Sequence, residues 1–273
     1  SALTGVSPIA RILELDRRQP EVTLTFEQYL ARVVPDQRVQ AGQERLSKNR
    51  ALLDEISASY GVQARFIVAL WGIESDFGRI TGNYPVISAL ATLAYDGRRS
   101  AFFRRELLEA LAIIDQGHIT AERMTGSWAG AMGQSQFMPS SFRAYAVDHD
   151  GDGRRDIWSS KPDVFASTAN YLRQTGWKSD ETWGRPIRLP PGMSHPAGDL
   201  GAAQRLANWQ AQGVRAVDGR DLPSRDISGS LLVPGPGAPA FLVYDNYRTI
   251  LKWNRSHFFA LAVGTLADRI EGA

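Results

Sequence analysis

Cysteine is absent from the 273 residues. That excludes thiol catalysis, thiolate zinc sites and disulfides, and it leaves the compartment open. Long hydrophobic runs are also missing: charges or glycines break each one well short of the length that spans a bilayer. No block of five like charges occurs, so no nucleic-acid arm is expected. The start, SALTGVSP, shows no basic n-region or lipobox, which leaves export open, as in a mature or trimmed form. The four histidines, His118, His149, His195 and His257, have no metal-ligand spacing and read as structural or surface residues. There is no solenoid repeat and no phosphate loop. Neither GSWAG nor GQSQF has the order of a nucleophile elbow.

What is present is a globular composition. Hydrophobic residues make up 43% and charged residues 22%, with seven Trp, eight Tyr and eleven Phe, enough for dense packing. The net charge of +2 and pI near 9.0 suit an acidic polymer as partner without predicting one. Helix-period apolar positions run through 1–60 toward Gly61, a C-cap, and continue in 63–75, 86–95 and 100–116, the last burying Phe102, Phe103, Leu107 and Leu111. TGNYP (81–85) reads as a turn. SFRAYAVD and 163–177 are helical again. From 178 to 240 Pro and Gly become frequent, with β-prone pieces PIRL and GSLLVP and one helix-like piece, AAQRLANWQAQG. The last stretch, 241–273, ends in a helix that packs back on the earlier ones. The class is α+β, mainly helical.

Three stretches carry chemistry. In ARFIVALWGIESDFG, Ile67, Leu70, Trp71 and Glu74 share one helical face. A carboxylate on an apolar face is costly unless it is paired, exposed or protonated. Glu74 therefore pairs with an arginine, sits exposed past the helix end, or is a proton donor whose pKa burial has raised. Asp76 reads as a cap or solvent group. GSWAGAMGQSQFMPSS (126–141) sets Ser127, Gln134, Ser135 and Gln136 among small residues; it is either a tight packing loop or a place where a bulky ligand approaches backbone. DHDGDGRRDIWS (148–159) has Asp148, Asp150 and Asp152 at calcium-loop positions 1, 3 and 5 and the Arg154 carbonyl at 7, but Ser159 at 12. Asp163 could supply the missing ligand; otherwise this is a solvated acidic turn. Some of the many aromatics could stack on sugar rings.

Together these stretches resemble the lytic transglycosylase B family. The shared order is ES then FG, GS-aromatic-AGAMGQ-x-QFMPSS, AVD-x-DGDG, S-x-ANYL-x-x-x-GW and a C-terminal segment ending LADRI. The resemblance runs from about Tyr29 to the end. It implies a lysozyme-like catalytic core over 61–177, an N-terminal helical part over 1–60, a small β-containing insert over 178–240 and a segment returning to the core over 241–273. It implies cleavage of the β-1,4 bond between N-acetylmuramic acid and N-acetylglucosamine in peptidoglycan, leaving a 1,6-anhydro-muramoyl end. Glu74 matches the catalytic acid. Ser127, Gln136, Tyr29 and Tyr171 match groove residues, and Met132, Gln134 and Asn246 complete the candidate sugar-contacting set. Asp148, Asp150, Asp152, Arg154 and Asp163 match a structural Ca2+ loop, and no organic cofactor is implied. Glycan strands are the implied partner, with cell-wall synthesis or remodelling enzymes beside them. The implied location is periplasmic, soluble or lipid-anchored to the outer membrane. Arg248 and Leu242 stand where relatives carry aromatic residues, which leaves the roles of Tyr244, Asn246 and Trp253 open. Two other readings remain: a lysozyme-type hydrolase, and a catalytically silent wall-binding protein.

Overall fold

The computed structural model describes residues 3–17, 24–96 and 98–272. Helices dominate its N-terminal two thirds: α1 (Ala10–Arg17), α2 (Phe26–Val33), α3 (Asp36–Lys48), α4 (Arg50–Tyr60), α5 (Ala64–Ser75), α6 (Val86–Tyr95), α7 (Ser100–Asp115), α8 (Pro139–Tyr145) and α9 (Lys161–Gln174). Their ends follow local chemistry. A capping box between Thr25 and Gln28 opens α2. Gly61, in the left-handed conformation at φ 69°, closes α4 as the sequence predicts. Two-residue strands β1 (Tyr84–Pro85) and β2 (Thr125–Gly126) pair antiparallel, so the expected TGNYP turn ends in a strand.

The C-terminal third adds β3 (Gly184–Arg188), β4 (Gln204–Arg205), α10 (Leu206–Ala211), β5 (Arg215–Ala216), β6 (Ser228–Leu232) and β7 (Ala240–Val243), then α11 (Asp245–Trp253) and α12 (His257–Glu271). The strands form one sheet in the order β4-β6-β7-β3-β5. Alternate residues face opposite sides of a strand, and both faces here are covered. Phe241, Val243 and Leu232 join the main helical core, while Leu231, Leu242 and Ile187 pack on a second core with Leu206, Trp209 and Val214.

Two helices form the centre. In α5 every residue from Phe66 to Gly72 is buried, and in α12 so are Phe259 to Gly264. They pack on each other, which explains why neither shows a clean apolar stripe. Among the described residues no helix is long and apolar enough to cross a membrane.

Several sequence expectations need adjusting. Phe102 is 37% exposed, and the buried face of α7 is Phe103, Glu106, Ala110 and Ile113. Glu106 is there because it accepts from Ser140 N and Oγ, at 2.9 and 2.8 Å. The helix in AAQRLANWQAQG shrinks to six residues, because Gln204 and Arg205 pair with β6 instead. FLVY begins as strand β7, since its residues bridge β3 and β6.

Candidate active site

Glu74 occupies the last turn of α5. It is half-buried, and the described residues give it no basic partner. Its carboxyl accepts one hydrogen bond, from Trp253 Nε1 at 2.7 Å. Burial pushes its pKa from 4.5 up to about 7, against the smaller opposing effect of the Trp253 bond. Among the described residues no second carboxylate acts on it; the nearest in sequence, Asp76, is held by Arg38 and Arg79. Of the three sequence alternatives, the arginine pair is absent among the described residues and the raised pKa is present.

Aromatic rings cluster around Trp253. Trp253, at the end of α11, meets Tyr171 of α9 at 4.7 Å and Phe137 at 5.2 Å between ring centres. Tyr145 meets Tyr171 at 4.5 Å. Tyr29 of α2 packs on Phe258 at 5.5 Å. Its phenol is pushed up by burial and then by the charge of Glu74, which places the two close together. Tyr171 is pushed up to about 12, chiefly by burial.

The Gly-rich loop packs tightly and also presents polar atoms. A Cβ on Gly126 would sit 2.1 Å from Ala131 O, and one on Gly133, at φ 63°, 2.6 Å from Ile157 O; only glycine fits. Ser127 Oγ accepts from Ala131 N at 3.0 Å, and among the described residues its hydroxyl hydrogen has no acceptor. Gln136 adopts φ 49°. Its amide nitrogen donates to Thr81 O at 3.0 Å and Gly133 O at 2.8 Å, leaving Oε1 without a described protein partner. Glu74, Tyr29 and Tyr171 lie on α5, α2 and α9, and Ser127 and Gln136 on the Gly-rich loop.

Three predicted contacts have structural work instead. Met132 is fully buried, its backbone bridged to Gly126 and Phe137. Asn246 is also fully buried; its amide binds Lys178 N at 2.7 Å and the carbonyls of Lys178 and Glu181 at 2.8 Å. Gln134 uses both ends of its amide, accepting from Trp71 Nε1 and donating to Trp158 O at 2.8 Å. Sequence reasoning did not assign Trp253 to Glu74. Its only signal is a large aromatic ending an amphipathic helix, 179 residues away.

The acidic loop is partly as predicted. Oxygens of Asp148, Asp150 and Asp163 lie within 4.8 Å of one another. Two ligands of one Ca2+, each at about 2.3–2.6 Å, can be at most about 5 Å apart, so this trio fits the ion. Asp163 is buried and accepts from His149 N and Asp156 N, both at 2.7 Å. It ties the loop to α9. Asp152 stands outside the trio, its Oδ1 accepting from Arg154 N at 2.8 Å, and Arg154 is exposed.

Comparison with known proteins places this geometry. The model of the transglycosylase SLT domain matches residues 1–268. Membrane-bound lytic murein transglycosylase B of Escherichia coli (strain K12) is 33% identical over 224 residues, covering 77% of this chain. The chain spans 58% of that relative's length. SltB3 from Pseudomonas aeruginosa, solved in complex with NAG-anhNAM-pentapeptide, superposes with a TM-score of 0.96 at 48% identity, over 100% of this chain and 73% of that one. Escherichia coli Slt35, solved in complex with calcium, gives 0.84 at 29% identity, over 98% and 85%. The protein belongs to the transglycosylase SLT domain family.

Proposed function

We propose that the chain is a peptidoglycan lytic transglycosylase in which Glu74 acts as acid and then as base. The observation that carries this is a single carboxyl with a pKa near 7, bonded to an indole within a cluster of aromatic rings, with no second carboxylate acting on it among the described residues. Glycoside hydrolases ordinarily use two. Protonated Glu74 gives its proton to the glycosidic oxygen as the bond from the muramoyl anomeric carbon breaks. The N-acetylglucosamine side leaves as an alcohol. The substrate's own N-acetyl group steadies the positive anomeric centre. The muramoyl 6-hydroxyl oxygen then attacks that carbon and returns its proton to Glu74. No water is consumed, and the internal hydroxyl prevails through proximity. Trp253 holds the carboxylate formed between the two steps.

Tyr29 and Tyr171 supply stacking faces for the sugars, and Ser127 and Gln136 bind near the cleaved bond. Asn246 is buried, so the exposed Asn254 beside Trp253 takes its place in this reading. A Ca2+ held by Asp148, Asp150 and Asp163 would pin the loop to α9 and contribute stability only; calcium in Slt35 supports this. We read 1–60, 61–177, 178–240 and 241–273 as the four parts of the chain. A periplasmic site of action, soluble or anchored at the outer membrane, follows from the substrate and from the relative's name.

The test is mass spectrometry of fragments released from purified peptidoglycan by the protein and its Glu74→Gln variant. Fragments one water lighter than reducing muropeptides, from the unmutated protein alone, are expected. Reducing ends would make it a hydrolase. Binding without fragments would make it a silent wall-binding protein.

A further inference from the structure

The helix carrying Glu74 ends in backbone that L side chains rarely adopt. Asp76 sits at φ 50° and Phe77 at φ 59°, both in the left-handed region. A helix stop is usually made by one glycine there; Gly61 does this for α4. Two consecutive non-glycine residues cost strain without improving the stop. Such strain clusters at functional sites.

The surroundings hold the turn in place. Asp76 N donates to Gly72 O at 3.1 Å and Phe77 N to Trp71 O at 3.2 Å. The Phe77 ring meets Trp71 edge-on at 5.4 Å between ring centres. The Asp76 carboxylate accepts from Arg79 Nε at 2.7 Å, but that side chain is 74% exposed and worth little. The second partner is better shielded. Arg38 Nε lies 3.5 Å from Asp76 Oδ1, with side-chain exposures of 22% and 19%. Arg38 also donates to Val33 O, in the last residue of α2. One guanidinium therefore joins the end of α2, which carries Tyr29, to the end of α5, which carries Glu74.

We propose that Asp76 and Arg38 are positioning residues that fix the gap between Tyr29 and Glu74 in which the sugar is cleaved. This rests on Glu74 being the acid. The α2–α3 turn has a separate grip, Arg269 donating to Val34 O at 3.0 Å and to Asp36 Oδ1 at 2.6 Å. Loss of Arg38 accordingly frees the groove wall without unfolding it.

The experiment measures kcat, KM and Tm for Asp76→Gly, Asp76→Asn, Arg38→Gln and the Arg38→Gln/Asp76→Gly double variant. Glycine adopts φ 50° without strain, so Asp76→Gly keeps or raises Tm. Its kcat/KM nevertheless falls roughly 10- to 100-fold, because a displaced acid is a poor one. Asparagine tolerates the left-handed region and keeps the side chain's shape, with an oxygen still facing Arg38 across 3.5 Å, so it recovers most of the activity. The double variant is no worse than either single one. Unchanged kcat/KM in Asp76→Gly overturns the proposal, as do losses that track Tm and add in the double. Should Asp76→Gly not fold, Arg38→Gln and its double with Asp76→Asn decide by the same criterion. An active Glu74→Gln would overturn the underlying reading as well. An inactive Glu74→Gln beside a fully active Asp76→Gly overturns the positioning role alone.

Discussion

At pH 6 an ordinary glutamate has lost its proton, whereas Glu74, with a pKa near 7, mostly keeps it. Two opposed effects set that value, burial raising it and the Trp253 bond lowering it. Trp253→Phe would remove the bond and keep an aromatic ring against Tyr171 and Phe137. A hydrogen bond to a charged group is worth about 1.5–3 kcal/mol, so the pKa rises by roughly one unit or more. The acid must start protonated, so the alkaline limb of kcat/KM moves upward by that amount. A limb that stays in place would show that Trp253 does not set the acid's pKa. The same residue has a cost in stability. The folded pKa lies above the unfolded one, so the native state binds more protons between 4.5 and 7. Stability from this group is full below about pH 4.5 and falls as pH rises through 7. The gap of 2.5 corresponds to about 3 kcal/mol. Glu74→Gln should melt higher than the unmutated protein at pH 8, with the difference vanishing near pH 4. Equal melting temperatures at pH 8 would contradict the raised pKa.

Among the elements, the acidic loop and α9 form one unit because Asp163 serves both. Without an ion, three carboxylates face one another and backbone N–H groups carry the balance. Ca2+ binding only the native state raises stability, by about 2.7 kcal/mol at a hundredfold excess over Kd. Millimolar Ca2+ should raise Tm by several degrees over chelator, and Asp148→Asn should remove the response. An identical melting curve in chelator would dismiss the ion. The acidic run was legible in sequence because Asp148 and Asp150 are close in the chain, and Glu74 stood out as a carboxylate among apolar helical positions, though its pattern alone left an arginine pair or exposure open. Short-range signals also set α5, α6 and the Gly61 cap. What was not legible needs partners distant in sequence. Trp253 reaches Glu74 across 179 residues. Met132 and Asn246 look available in a polar or aromatic context, yet bridges to Phe137 and bonds to Lys178 bury them. Strands β4 and β5 are two residues long and carry no periodicity to read.

For the whole molecule, the question is how a sheet with its own small core stays attached to α5 and α12, the first of which carries Glu74. Trp183 is the wedge. It is 1% exposed, donates to Asp268 of α12 at 2.9 Å, and accepts at its carbonyl from Tyr244 N, just after β7. Its ring lies over Gly264 of α12 so closely that a Cβ there would come within 2.2 Å of it. Glycine inside a helix is normally a liability, and Gly→Ala gains up to about 1 kcal/mol. Here the sign should reverse. Gly264→Ala forces the indole out of its slot, and overpacking of this kind costs about 1–3 kcal/mol. The neighbouring case is the control. A Cβ on Gly42 of α3 would clash only with Ile270 Cγ1 and Cδ1, both at 2.6 Å, a smaller and more adjustable side chain than the indole, so Gly42→Ala should cost less than Gly264→Ala. Gly264→Ala should lower Tm by several degrees and speed amide exchange in β3 and β7 before it does so in α5. Were it instead to melt at or above the unmutated protein, Trp183 would not be what fastens the sheet to α12.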